Sequence, residues 1–142
     1  MYEDLIPRLA TATRITCLKL TPQQVISIAD SIEQATRFPG SHGRNTASPE
    51  VFSLLAEAVD DPSIAGALRL GTGMVHDLAR LVGPTADRMT CVSSRRLIGH
   101  LRARDADAAE REIEKYLRCL HFFWRLARYS NHPSWSSPAG RL

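Results

Sequence analysis

Cysteine is scarce in this 142-residue chain, and the three present, Cys17, Cys91 and Cys119, form no CxxC pair. An odd, widely spaced set argues against a disulfide framework or a zinc knuckle, and a reduced, cytoplasmic setting is expected. No apolar run approaches the roughly 18 residues that would span a bilayer, so no membrane partner is expected. Lysine is nearly absent: sixteen of the eighteen basic residues are arginine, and fifteen acids reduce the net charge to +3. So small and dispersed an excess does not make a nucleic-acid groove. The N-terminus, MYEDLIPR, lacks the basic and apolar regions of a secretory signal. There is no Asn-Gly or Asp-Gly dipeptide and no sustained alternation of period two, which removes the hairpin signals. Nor is there a GxSxG, a P-loop, a GxGxxG or an HExxH, so no catalysis, cofactor or metal is expected.

What is present is helical. Hydrophobic residues at 44% and charged residues at 23% are ordinary for a globular domain. Apolar residues recur at helical spacing in six segments, predicting an all-α antiparallel bundle of six helices, with a seventh allowed, over residues 1–130. The first helix is placed from about Asp4, with Pro7 in its first turn, to about Leu18. Thr21-Pro22-Gln23-Gln24 opens the second with a capping box, and Arg37 to Ala47 reads as an exposed loop. Ser48-Pro49 starts the third and Asp61-Pro62 the fourth, in which Gly71 and Gly73 each cost about 1 kcal/mol relative to alanine and allow a kink. The fifth is expected from about Thr85 to Arg104, and Asp105 caps a sixth that runs to about Arg128. Residues 131–142, rich in serine and proline, read as an irregular tail.

Two hydroxyls fall on apolar faces. Ser94 lies near the centre of the sector formed by Thr90, Cys91, Leu97, Ile98 and Leu101. Tyr116 belongs to the stripe of Ala109, Ile113, Leu117, Leu120, Phe123, Trp124 and Ala127. Buried hydroxyls need partners, either a polar ligand or the protein itself. Arg88, Arg95 and Arg102 form a cationic strip that reads either as a solvated face or as a site for phosphate, a carboxylate or the acids of a partner helix. The glutamates of AEREIEK, Glu110, Glu112 and Glu114, read as a solvated face, and the histidines as surface residues.

Taken together, TPQQVISIADSIEQA, SPEVFSLLAEAVDDPSIAGAL and SSRRLIGHLRARDADAAEREIEKYLRCL resemble the C-terminal effector-binding and dimerisation domain of FadR-type regulators in the GntR superfamily. The resemblance covers about residues 4 to 128. Many such domains hold a divalent metal, and the corresponding positions here are Pro49, Ser53, Ser94 and Tyr116, none of them a normal ligand for such an ion. The resemblance therefore implies a metal-free homodimer that encloses a small organic effector of the fatty-acyl or carboxylic-acid type. It also implies that DNA is contacted only through a winged-helix domain, for which this chain has no room. The effector is expected between the third, fifth and sixth helices, lined by Ser53, Thr90, Ser94, Ile98, Leu101, Ile113, Tyr116 and Leu120. The first and fourth helices are the expected dimer contacts. The rival expectation is a structural helical oligomerisation module whose pocket is filled by side chains.

Overall fold

The computed structural model describes residues 2–37 and 47–130. Arg37 and Ala47, the ends of the expected loop, belong to helices, while its residues 38–46, the tail, His42 and His132 lie outside the described residues, as does the side chain of Pro49. Within them the chain forms six helices and no strand: α1 (Tyr2–Lys19), α2 (Pro22–Arg37), α3 (Ala47–Ala58), α4 (Pro62–Val82), α5 (Pro84–Arg102) and α6 (Ala106–Ser130). None is long and apolar enough to cross a membrane.

At Thr21, Asp61 and Asp105 the caps act as the sequence predicts, while the side chain of Ser48 lies outside the described residues. Gln24 N–H donates to Thr21 Oγ1 (3.1 Å) while Thr21 N–H donates to Gln24 Oε1 (2.9 Å), completing the capping box. Asp61 Oδ1 accepts from Ser63 N–H (2.8 Å) at the head of α4, and Asp105 Oδ1 from Ala108 N–H (3.0 Å) at the head of α6. Gly83 alone joins α4 to α5, and its φ of 83° is a conformation that a side chain would strain.

Side-chain pairings fix the helix directions. Thr90 meets Tyr116 and Ser93 meets Glu112, so α5 and α6 are antiparallel. Tyr2 packs on His121 and Trp124 while Arg14 reaches Asp107, so α1 and α6 are antiparallel too. Arg102 pairs with Asp30 and Glu33 of α2, so this one arginine of the strip meets acids within the chain. The core at the centre gathers Leu9, Phe52, Leu55, Leu68, Val75, Leu78, Leu97, Leu117 and Leu120, all essentially without exposed surface. On α3, Val51, Phe52, Leu55 and Ala56 are all buried, so this helix is covered on two sides.

Several expectations need correction. Helix α1 starts at Tyr2, which places Pro7 inside it. The missing N–H leaves the Glu3 carbonyl without a helical partner, but Glu3 and Pro7 are both exposed and water can take that role. The extra turn is held by the Tyr2 ring, edge-on to Trp124 at 5.4 Å between centroids. Helix α4 runs through Gly71 and Gly73 as the single helix expected. Helix α5 stops at Arg102 because Arg104 turns left-handed (φ 58°) and its guanidinium donates to the Leu20 carbonyl at 2.7 Å. Phe123 belongs to no core stripe and is 40% exposed, because burial along α6 ends at Leu120.

Candidate ligand groove between α5 and α6

Residues of both helical seams build the site. From α5, Thr90 and Ser93 face α6, and one turn spacing places Met89 and Val92 beside them on the outer side. From α6, Glu112, Tyr116 and Cys119 form the opposite edge. Thr90 Oγ1 and Tyr116 Oη lie 2.7 Å apart, and Ser93 Oγ donates to Glu112 Oε2 at 2.8 Å, both within buried surroundings. Above these two bonds opens a groove of about 310 Å³ lined by Met89, Val92, Tyr116 and Cys119, with Arg88, Arg96 and Lys115 among its other walls. Arg88 makes only a long contact to Thr85 Oγ1 (3.4 Å), and none of these three cations forms an ion pair among the described residues. An apolar slot edged by three cations, with the Glu112 carboxylate held by Ser93 on one side, suits an amphipathic molecule whose acidic end meets the cations away from Glu112.

The expected site residues are distributed differently. Tyr116 lines the groove. Thr90, Ser94, Leu101, Ile113 and Leu120 are buried in the bundle, and Thr90 is taken up by Tyr116. Ile98 edges a separate pocket between α2 and α5, beside Glu33, Thr36, Arg95 and Arg102. Ser53 is half-buried and lies 3.3 Å from Thr72 Oγ1, on the α4 side. Ser94 is 4% exposed and its hydroxyl makes no hydrogen bond among the described residues. Ser53, Ser94 and Tyr116, where the resemblance noted in the sequence would put metal ligands, carry only hydroxyls, which do not fit a divalent transition ion. No cluster of three or more histidine, cysteine or carboxylate groups occurs among the described residues.

Sequence reasoning missed Glu112, which is buried (8% exposed) instead of solvated. The signal was there: Glu112 precedes Tyr116 by four residues and follows Ala109 by three, the spacing of the inward face. His76 is exposed as expected, while His100 is half-buried. His121 is also half-buried, stacked on Trp124 with centroids 5.6 Å apart. Burial, first, and then Arg125 hold its imidazole below the ordinary value.

The cysteines differ sharply in environment, which predicts their reactivity. Cys119 is exposed at the groove, Cys91 and Cys17 are half-buried, and burial pushes the Cys17 thiol up to about 11 despite the opposing charge of Arg104. In a thiol-exchange assay at pH 8, Cys119 is expected to react first and Cys17 last. Equal rates for Cys17 and Cys119 would contradict the packing described for α1. Comparison with protein-family models, with curated proteins and with solved structures gives no match to this chain.

Proposed function

We propose that this chain is a metal-free effector-binding domain of the FadR-type class in the GntR superfamily, working as a homodimer, with its ligand seated in the α5/α6 groove. The carrying observation is that groove: an apolar slot against the Tyr116 ring, with three cations, Arg88, Arg96 and Lys115, against one acid, Glu112, in its walls. The order of capped helices and the resemblance at LRARDADAAEREIEKYL support the class. The ligand is a small organic acid with an apolar body, whose acidic end meets the arginines and whose body covers Met89 and Val92, each Å² of apolar surface buried contributing about 25 cal/mol. Regulation requires unequal affinity for two arrangements of the dimer, transmitted to DNA through a winged-helix domain.

The seat differs from the interior one expected from sequence, where the Thr90 and Tyr116 hydroxyls satisfy each other. That mutual pairing favours the second reading, a structural oligomerisation module. Native mass spectrometry and thermal-shift measurements with a series of fatty acids and small carboxylic acids separate the two. A bound acid should raise the melting temperature, and Val92→Asp, which puts an acid on the exposed groove wall, should abolish the shift while leaving the fold intact. No shift with any acid, or an equal shift in Val92→Asp, would remove the groove as the seat and leave the structural module.

A further inference from the structure

Beyond the level of Leu120, α6 runs on with no buried residue as far as Ser130. This segment leaves Phe122 (50% exposed), Leu126 (47%) and Tyr129 (59%) facing solvent. They are spaced four and three apart, and with Cys119 and Lys115 they continue the 4-3-4-3 spacing of a seam that meets another helix. Phe123 stands beside them, edge-on to Phe122 with centroids 5.6 Å apart. Single exposed apolar residues are ordinary, but four large ones on ten residues of one helix form a patch.

Charge selects what covers it. From Lys115 to Ser130 the chain carries Lys115, Arg118, Arg125 and Arg128 and not one aspartate or glutamate. Glu114 holds Arg118 at 2.7 Å and Arg128 lies over the Trp124 ring, whereas Arg125 has neither kind of partner and flanks the seam. A second copy docking seam to seam would bring the same cations together; in the antiparallel register Arg125 would face its own counterpart. The segments outside the described residues, 38–46 and 131–142, contain no acidic side chain either. The 3.5-residue spacing asks for a helix and the cations ask for acids on its flanks.

We infer that the α6 seam docks an amphipathic helix of a partner protein, apolar along one stripe and acidic beside it. Two fluorescein-labelled designed helices of about 20 residues test this, sharing one leucine seam, with glutamates on the flanks of one and lysines on the other. Anisotropy with the intact protein should show the glutamate helix binding about tenfold or more tighter than the lysine helix, with the preference shrinking as salt rises. Leu126→Ser should cut that binding about tenfold, and Arg125→Glu should reduce or invert the preference between the two helices. Both positions are exposed, so an unchanged circular dichroism spectrum accompanies either change. No binding of the glutamate helix, equal binding of both helices, or binding indifferent to Leu126→Ser would overturn the inference. So would sedimentation showing that the seam is already closed by a second copy, or anionic phosphatidylserine vesicles competing through the same residues more strongly than the glutamate helix.

Discussion

Ser93→Ala and Ser94→Ala, equal changes at adjacent positions of α5, are expected to move stability in opposite directions. Ser93 Oγ donates at 2.8 Å to Glu112 Oε2, and Glu112 is buried beneath the groove. Losing that donor strips a buried carboxylate of a charge-assisted hydrogen bond, which costs about 1.5–3 kcal/mol. The gain in helix propensity from serine to alanine, at most about 0.7 kcal/mol, offsets only part of it. At Ser94 the propensity gain is the same but there is no bond to lose, since its buried hydroxyl has no partner among the described residues. Removing an unsatisfied hydroxyl there should add about 1 kcal/mol or more. Urea unfolding of the two variants reads the difference directly. Loss of stability in both would mean that Ser94 has a partner in solution, and gain in both would mean that the Ser93–Glu112 bond contributes nothing net.

The pair also shows where sequence reading stopped. Helical spacing placed Ser94 at the centre of an inward face, and it is there, yet spacing cannot say whether the space opposite is filled. What decides is the α5/α6 register, which sets Thr90 against Tyr116 and Ser93 against Glu112. The alternation of charge around Glu112 imitated a solvated face because Arg111 and Glu114 on either side are solvated or half so. Caps were legible because their chemistry is local: Thr21 with Gln24, Asp61 and Asp105 each act within one turn. Phe123 was misplaced for the opposite reason. A periodic stripe is buried only as far as its neighbours extend, and α5 begins at Pro84, level with the last buried turn of α6. The apolar faces of α1 and α4, expected to serve a dimer, are used within the chain by Ile6, Leu9, Leu68, Val75 and Leu78, leaving Leu18, Leu70 and Leu81 exposed.

Gly71 and Gly73, which cost the same on propensity, are expected to part company when replaced. A methyl group at Gly73 meets nothing within 4 Å, so Gly73→Ala should raise stability by about 1 kcal/mol. At Gly71 the same carbon would lie 2.6 Å from Leu9 Cδ2 and 3.3 Å from Phe52 Cδ2, where α1 and α3 close on α4. Leu9 and Phe52 are both fully buried and cannot swing outward, so overpacking of about 1–3 kcal/mol should cancel or exceed the propensity gain. The pair Leu9 and Gly71 then makes a sharper test. Leu9→Ala alone opens a cavity in the centre of the core and should cost about 2–5 kcal/mol. Combined with Gly71→Ala, the added methyl enters the vacated space, so the clash disappears and part of the cavity is refilled. The double variant should therefore be more stable than the sum of the singles by about 1–2 kcal/mol, a coupling expected only of groups in direct contact. Strict additivity, or a Gly71→Ala variant as stable as Gly73→Ala, would show that α1 and α4 do not approach as closely as this glycine permits.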